Sequence, residues 1–369
     1  MTPRTEDELA AIIKGADAPL RIEGGGTRPI GGRAVGARLS TSAMRGIVLY
    51  EPGALTLVAR AGTPLEEVEA ALAQEGQRLA FEPMDHRGLL GSAGTPTIGG
   101  VVAANVSGPR RVQAGACRDF LLGVRLVDGA GRIVRNGGRV MKNVTGYDLV
   151  RLMAGSYGTL GVLTEVALKV LPAPQAAVTL RLSGLDDAQA VAALARALGS
   201  PFEVTGAAHL PGKATLLRIE GFAAAVAYRA ERLAMLLAPF GAVTIEDDPA
   251  TVAATWRDIR DVAAFHGRAG DIWRLSVRPT DAPGIMAGLS GVEALYDWGG
   301  GLVWLLAPEG SAQAIRAGVN ARGGHATRLR GAGADAFHPL PAPVAALQAG
   351  LRQRFDPRGI LNPGLMASM

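Results

Sequence analysis

The sequence contains only one cysteine, Cys117, in 369 residues. A single thiol forms no intramolecular disulfide, and an iron–sulfur cluster needs about four thiolates, so this chain alone carries neither. Such cysteine usage is typical of a reducing compartment. Aromatic residues are also scarce, at 5% of the chain. Nucleic-acid-binding surfaces usually combine aromatic stacking platforms with a basic stripe, so we expect no nucleic-acid partner.

Lysine is nearly missing, since only four of the 38 basic residues are lysines. The arginines are spread along the chain instead of being concentrated in one segment. The net charge of +5 therefore indicates either a solvated basic surface or affinity for a small anion.

The chain also lacks a long uninterrupted hydrophobic run. The longest uncharged stretch, residues 89–109, contains many glycines and Pro96, which suit a buried loop better than a lipid-facing helix. The first residues include acids where a signal peptide would carry only bases. We therefore expect a cytoplasmic protein that is not transmembrane.

What is present predicts an α+β protein of more than one domain. The length favours two domains, and 48% apolar residues with 19% charged residues suffice for a large core. In residues 1–172, Thr5 with Glu8 and Thr63 with Glu66 read as capping boxes that begin helices. Predicted strands follow the apolar runs at 55–61, 121–127, 132–135 and 160–171.

Residues 173–335 repeat one order of elements. Strands and helices alternate as βαββαβ in 178–246 and again in 272–330, with an extra helix at 249–264. This is the ferredoxin-like arrangement written twice, and it predicts one continuous antiparallel sheet with helices on a single face. The remaining residues, 336–369, predict a helix that ends at Asp356-Pro357 and a tail that returns to the first domain.

Three glycine-rich segments stand out in the first domain, at 24–27 (GGGT), 91–109 and 146–166. Backbone without Cβ atoms can approach a pyrophosphate or a flat ring, and the Thr, Ser and Asn side chains among the glycines add directional donors. Plain surface loops or a tight crossover are the alternatives. No Walker A sequence and no G-x-G-x-x-G after a strand is present, so one extended ligand outside those two classes explains all three segments best.

These motifs carry a resemblance. GGGT, TIGGVVAAN at 97–105, Arg118-Asp119 and KNVTGYDLVRLMAGSYGTLGVLTEV together resemble the PCMH-type FAD-binding domain of the vanillyl-alcohol oxidase family. FDPRGILNPG at 355–364 is similar to the tail of flavin-linked 2-hydroxy acid dehydrogenases. GGHAT at 323–327 and FHPLP at 337–341 extend the likeness to the FAD-binding E subunits of bacterial glycolate oxidase complexes.

The resemblance implies a fold, a cofactor and a site. The expected fold is a PCMH-type FAD-binding domain (1–172), a ferredoxin-like cap (173–335) and a tail packed on the first domain (336–369). The expected FAD is noncovalent, because His86 is the only histidine in the first domain. The residues assigned to FAD are Gly24, Gly25, Gly26 and Thr27 at the pyrophosphate; Gly94, Thr95, Thr97, Ile98, Gly99, Asn105, Ser107 and Gly108 at the diphosphate and flavin; Gly155, Ser156, Gly158, Gly161 and Val162 at the adenosine end; and Asn362 near the flavin ring.

The implied activity is oxidation of glycolate, a small anionic 2-hydroxy acid, to glyoxylate. The implied partners are a paralogous FAD-linked catalytic subunit and an iron–sulfur subunit, through which the protein could reach the inner face of the membrane. However, the H-x-G-D-G-N-x-H metal motif of such oxidases is missing, so we expect no metal and assign no catalytic residue. A scaffold or electron-relay subunit therefore remains the alternative, and a flavin reductase of the UDP-sugar-peptidoglycan type is a weaker one.

Individual side chains give little further help. His86 could accept the hydroxyl proton, although a solvated loop histidine is the simpler interpretation. His325 and His338 are expected at a strand end and a turn, and their spacing does not predict a zinc site. Cys117 is expected to be a small packed residue, and Asp148 a local helix cap.

Overall fold

The computed structural model describes residues 1–30, 35–139, 146–333 and 336–366. In that part of the chain the α-helices are α1 (Glu6–Gly15), α2 (Leu65–Gln74), α3 (Arg87–Leu90), α4 (Ile98–Ala103), α5 (Arg111–Ala114), α6 (Leu149–Met153), α7 (Asp187–Leu198), α8 (Ala223–Leu237), α9 (Pro249–Arg260), α10 (Ala282–Ala287), α11 (Ala312–Asn320) and α12 (Ala342–Phe355). None of these helices is long and apolar enough to cross a bilayer.

Within the described residues, the strands fall into four sheets. They are β1 (Leu20–Glu23), β2 (Ala37–Ser40), β3 (Ile47–Glu51), β4 (Thr56–Arg60), β5 (Gln77–Arg78), β6 (Leu121–Val127), β7 (Ile133–Gly137), β8 (Val162–Lys169), β9 (Leu171–Pro172), β10 (Ala176–Leu182), β11 (Val204–Leu210), β12 (Ala214–Gly221), β13 (Val243–Glu246), β14 (Asp271–Ser276), β15 (Glu293–Asp297), β16 (Leu302–Ala307) and β17 (His325–Arg330).

The first part of the chain contains three of these sheets. An antiparallel sheet of five strands has the order β3-β4-β8-β6-β7, while β1 pairs parallel with β2, and β5 pairs with β9. Val124 and Val166 of the large sheet join Val68 and Leu72 of α2 in one hydrophobic cluster. This arrangement forms because β-branched residues alternate along the strands while α2 presents an apolar stripe.

The predicted continuous sheet is confirmed. Eight antiparallel strands have the order β13-β10-β12-β11-β15-β16-β14-β17, so each βαββαβ half has the strand order 4-1-3-2 and the two halves meet at their second strands. A single residue pair, His209 with Tyr296, joins them. α7 and α8 pack on one face with Leu217 and Ile219, and α10 and α11 extend that layer along the second half.

The other face of the eight-stranded sheet packs against the first part of the chain. Leu216 of β12 belongs to the same hydrophobic cluster as Val166, and α9 lies on this face through Trp256. The alternation of β12 sends Arg218 and Glu220 to this face as well. The Arg218 guanidinium donates to both carboxylate oxygens of Glu82 at 2.8 Å.

Three arginines and two glutamates form this buried network. Arg110 pairs with both Glu82 and Glu220, and Arg78 donates to Glu220 at 2.9 Å. Burial alone would raise the pKa of Glu82, but the charges of Arg218 and Arg110 outweigh it and hold this pKa below its usual value. Charge pairing therefore fastens the eight-stranded sheet to the loops at 78–82 and 110.

Two local predictions are wrong. The Thr63 hydroxyl does not cap α2, which begins after Pro64 without a side-chain cap; it donates to the Arg60 carbonyl at 2.7 Å instead. The single strand expected at 160–171 is divided into β8 and β9, because the chain leaves β4 and β6 after residue 169 and pairs with β5. At α1 the cap is confirmed, since the Thr5 hydroxyl accepts from the Glu8 amide.

The tail packs against the N-terminal strand. Leu361 forms an isolated parallel bridge with Leu20 of β1. The Asp356 carboxylate accepts from the amides of Ile360 and Leu361, which turns the chain after α12. The Arg358 guanidinium donates to the Gly129 carbonyl at 2.9 Å. These contacts hold residue 362 at the mouth of the site described next.

Candidate cofactor-binding site

A cavity of about 900 Å³ opens between four segments of the chain. Its wall comes from the loop after β1, the beginning of α4, the turn that leads into β8, and the tail residues Asn362 and Leu365. Small-molecule sites span roughly 300–1,000 Å³, so this cavity is large enough for an extended dinucleotide.

The glycine triplet is the most closely packed part of that wall. A Cβ on Gly25 would lie 2.7 Å from the Thr95 carbonyl carbon and would overlap its oxygen, and one on Gly24 would overlap the Thr97 hydroxyl. These two glycines are therefore required by contact between two loops of the chain. Gly26 differs, because it has a φ of +72° and its Cβ would meet no atom within 4 Å. Its bare backbone faces open space in the cavity wall.

The structure brings ten of the predicted FAD-contacting residues to the cavity wall. They are Gly24, Gly25, Gly26, Thr27, Thr97, Gly99, Gly158, Gly161, Val162 and Asn362. Eight others lie outside the wall: Gly94, Thr95, Ile98, Asn105, Ser107, Gly108, Gly155 and Ser156. Residues 142–145 of the quoted KNVTGYD segment, and Met141 before them, lie outside the described part of the chain.

Most of the polar side chains among these residues bind the chain itself. The Asn105 side-chain oxygen, Oδ1, accepts from the Arg118 amide at 3.0 Å, and the Ser107 hydroxyl accepts from the Cys117 amide at 2.9 Å. The Asn362 side chain accepts from the Ile22 amide at 2.7 Å and donates to the Tyr157 carbonyl at 2.8 Å. Asn362 thus connects two segments of the cavity wall.

Sequence reasoning missed the cationic end of the cavity. Arg28, Tyr157 and His86 all line it. The Arg28 guanidinium donates weakly to the Tyr157 hydroxyl at 3.3 Å, while its buried Nε has no hydrogen-bond partner in the described residues. His86 is only 5% exposed, so the solvated-loop interpretation is wrong. Burial, with the charges of Arg28 and Arg274, lowers the pKa of His86 well below its usual value, which keeps its imidazole neutral.

Two further arginines stand near this end. Their guanidinium carbons lie over the Trp298 ring, with Arg111 at 4.3 Å and Arg274 at 5.2 Å from the ring centroid. Trp298 adopts a φ of +52°, which is uncommon for a bulky residue, and its indole donates to the Gly108 carbonyl at 3.0 Å. Burial, with the charges of Arg28 and Arg111, lowers the pKa of Arg274 to about 10. Only proximity in tertiary structure identifies these arginines among so many.

Asp297 is the buried acid beside this group. It is 2% exposed, and its carboxylate accepts from the Trp298 amide at 2.7 Å. Burial raises its pKa to about 7, with a further increase from Glu82, although Arg218 and Arg274 oppose the shift.

The remaining candidate side chains have local roles. Cys117 is fully buried, which raises the pKa of its thiol, and the prediction of a packed residue is confirmed. Asp148 caps α6 as predicted, accepting from the Arg151 amide at 3.0 Å. The ring centroids of His325 and His338 are 5.5 Å apart, and the two rings meet edge to face. In the described ranges, no group of three or more His, Cys, Asp or Glu side chains is placed to hold a metal ion.

The chain is similar in sequence to several known proteins. Residues 1–137 match the model of a family described as FAD binding domain. Glycolate oxidase subunit GlcE of Escherichia coli K12 is 41% identical over 94% of this chain and 92% of its own length. Two other relatives align only with about half of this chain: D-lactate dehydrogenase of Archaeoglobus fulgidus at 34% identity (46% of this chain, 38% of its own length) and glycolate oxidase subunit GlcD of Bacillus subtilis at 33% (49% and 38%).

The fold is also found among solved structures. An alkyldihydroxyacetonephosphate synthase superposes with a TM-score of 0.73, covering 98% of this chain and 76% of that chain, at 18% identity. At that identity the similarity concerns the fold alone. A cavity of dinucleotide size, lined by bare backbone at Gly26 and by the triplet loop, fits the cofactor that the matching family binds.

Proposed function

The chain belongs to the family of FAD-binding oxidoreductase subunits that includes GlcE, and on that basis we propose that it holds FAD in a complex that oxidises glycolate to glyoxylate. The observation that carries the proposal is the near full-length match to GlcE, together with a cavity built where the triplet loop, α4 and the tail meet. A paralogous FAD-linked catalytic subunit and an iron–sulfur subunit complete the proposed complex.

FAD is the cofactor, and its isoalloxazine ring, when bound, accepts the hydride equivalent that leaves the carbon bearing the hydroxyl group. We assign the loop at 24–27 and the beginning of α4 to the phosphates, because both line the cavity and a Cβ on Gly26 would meet no atom within 4 Å. The Thr97 hydroxyl already accepts a hydrogen bond from the Gly100 amide as the cap of α4, so only part of its hydrogen-bonding capacity is left for a phosphate. The Asn362 amide fixes the two wall segments between which the cofactor would lie.

The chain's own residues would orient the substrate and receive its proton. Oxidation of a 2-hydroxy acid removes two electrons and two protons, one with the hydride and one from the hydroxyl group. The neutral His86 imidazole on the cavity wall is the acceptor that we assign to the hydroxyl proton. The cationic end around Arg28 supplies the attraction for an anionic substrate.

An electron-relay subunit that holds FAD without meeting substrate is the second candidate. It is favoured by the missing H-x-G-D-G-N-x-H motif and by the lack of a metal-binding cluster within residues 1–30, 35–139, 146–333 and 336–366.

Anaerobic reduction separates the two candidates. The purified chain is expected to carry the yellow flavin spectrum, and glycolate without oxygen should bleach it if the subunit itself oxidises the substrate. Bleaching only after the partner subunits are added supports the relay. A colourless protein that takes up no FAD on reconstitution contradicts both proposals.

A further inference from the structure

We infer that α12 is a docking helix, which another subunit of the proposed complex holds in an apolar groove with carboxylates at one end. The inference rests on the proposed function and goes beyond it, because it names the surface through which this chain joins its partner. The helix follows the eight-stranded sheet in sequence and precedes the tail that lines the cofactor cavity.

α12 lacks the packing that normally stabilises a helix. It is 14 residues long, and none of these residues is buried against the described part of the chain. A helix of that length is only marginally stable in water by itself, and most helices in proteins owe their stability to a packed apolar face. Gly350 in its third turn costs about 1 kcal/mol more than alanine would. A contact from outside the chain would supply the missing packing.

The exposed surface of α12 is apolar on more than one side. Val344, Leu347 and Leu351 form a stripe at the spacing i, i+3 and i+7, and Leu347 is 70% exposed. The opposite side consists of exposed alanines, and Gln348 is the only polar side chain between residues 342 and 351. A helix that is apolar all round is normally enclosed by protein, and this spacing is that of helices that bind in a groove.

The charge at the end of the stripe defines one end of the partner's groove. Arg354 follows Leu347 and Leu351 along the same side of the helix, is exposed, and forms no ion pair with the described residues. No acidic residue occurs between positions 336 and 355. A cation at the end of an apolar stripe favours a partner with carboxylates at the matching position, because complementary charges fix the register and speed the association.

A membrane surface and a second copy of the chain fit these features less well. Helices that lie on a membrane carry Lys and Arg on the side opposite the apolar one, whereas that side of α12 consists of alanines. Two copies that met along the stripe would each bury three large side chains there, but stable interfaces involve about 20–30 residues a side. A groove encloses more of the helix than either of these surfaces does.

The last turn of α12 places the partner near the cofactor cavity. The Arg352 guanidinium donates to the carbonyls of Leu361 and Asn362 at 3.0 and 3.2 Å, and the Phe355 carbonyl accepts from the Gly129 amide at 2.8 Å. Asn362 lines the cavity. A subunit that holds α12 would therefore be seated next to the cofactor site.

The test measures assembly from purified subunits. Binding of the FAD-loaded chain to the paralogous FAD-linked subunit and to the iron–sulfur subunit is measured by calorimetry, with each subunit alone and with both together. We expect Leu347→Ser and Leu351→Ser each to weaken binding to one of these subunits about ten- to hundred-fold, as for loss of an apolar anchor at an interface. Arg354→Gln should lower the association rate and its dependence on salt.

Met235→Ser is the matched control, because it removes a flexible apolar side chain that is 58% exposed on α8 and lies outside the cavity wall. It should bind the subunits like the wild type. Leu347→Met keeps an apolar side chain and should bind nearly as tightly as the wild type. Since α12 has no buried residue, Leu347→Ser should keep the wild-type melting temperature and FAD content. Hydrogen exchange in residues 342–355 of the wild type should slow when the subunit binds.

Three results would overturn the inference. If Leu347→Ser and Leu351→Ser bind the subunits as tightly as the wild type does, α12 is not the docking helix, while glycolate turnover in the reconstituted complex leaves the proposed function intact. If Leu347→Ser instead dissociates a dimer of the chain, or releases the chain from anionic phospholipid vesicles, with subunit binding unchanged, the helix serves a second copy or a membrane. If neither subunit binds the wild type, the proposed complex is contradicted together with the inference.

Discussion

Replacing Gly25 by valine should remove FAD from the protein while leaving its fold largely intact. The new Cβ would lie 2.7 Å from the Thr95 carbonyl carbon, whereas ordinary van der Waals contact begins at 3.4 Å. Clearing the carbonyl carbon alone requires the triplet loop and the loop at 94–97 to separate by about 0.7 Å, and clearing the overlapping Thr95 oxygen and the two methyl groups requires more. Both loops approach the cavity, so the separation widens the wall that would hold the cofactor.

The size of the effect follows from where the strain is relieved. Overpacking of this kind costs about 1–3 kcal/mol, and the empty protein can release it by opening the loops, whereas the FAD-bound protein cannot. A difference of about 3 kcal/mol corresponds to roughly a hundred-fold weaker Kd for FAD. The assay is the flavin-to-protein ratio after gel filtration, followed by FAD titration of the stripped protein.

Gly53→Val is the matched control, because a Cβ at Gly53 would meet no atom within 4 Å and the residue is exposed outside the cavity wall. It should retain wild-type FAD. If Gly25→Val binds FAD as tightly as Gly53→Val does, the triplet loop does not shape the cofactor site and the reasoning fails.

Two other predictions concern the buried charges. Burial raises the pKa of Asp297 to about 7, so the stability that the protonated Asp297 contributes is complete below the unfolded-state pKa near 4 and is lost as the pH rises through about 7. Relative to Asp297→Asn, the wild-type free energy of unfolding should therefore fall by up to about 1.4 kcal/mol per pH unit between these two values. Urea titrations that give parallel pH profiles for the two proteins would contradict this. Glu82→Gln leaves Arg218 buried without its bidentate partner and should lower the free energy of unfolding by about 3–5 kcal/mol, measured by denaturant titration. The control Glu293→Gln, at the exposed pair with Arg268, should lower it by less than about 1 kcal/mol. Equal losses of unfolding free energy would show that the buried pair has no special role.

The duplicated sheet could be predicted from the sequence because it depends on local patterns. Each βαββαβ half has strands of alternating or continuous apolar residues and amphipathic helices, and turn residues separate them. The prediction that Thr63 caps α2 failed because of the tertiary structure: the Thr63 hydroxyl accepts from the Gly46 amide and donates to the Arg60 carbonyl instead of accepting from an α2 amide. The prediction of one strand over 160–171 failed for the same kind of reason, because β9 pairs with β5, which is far away in sequence.

The site was predictable as a set of segments but less so as individual contacts. The glycine motifs located the loop at 24–27, α4 and the turn before β8, which do converge on the cavity. A motif cannot tell whether Asn105 or Ser107 faces a ligand or its own chain, and both bind the backbone at 117–118. The cationic end was hidden for a different reason: an arginine without a carboxylate partner is recognisable only when every neighbour is known.

The contact between Asn362 and Ile22 constrains how the protein is made. The two residues are 340 positions apart, and the Asn362 side chain joins β1 to the turn at Tyr157. A ribosome completes the triplet loop early, but this seam cannot close until the far end of the chain has emerged from the exit tunnel. We therefore expect FAD to bind in the final geometry only after most of the chain has been translated. A nascent chain that stops between the triplet loop and Asn362 would have a cavity that lacks one part of its wall.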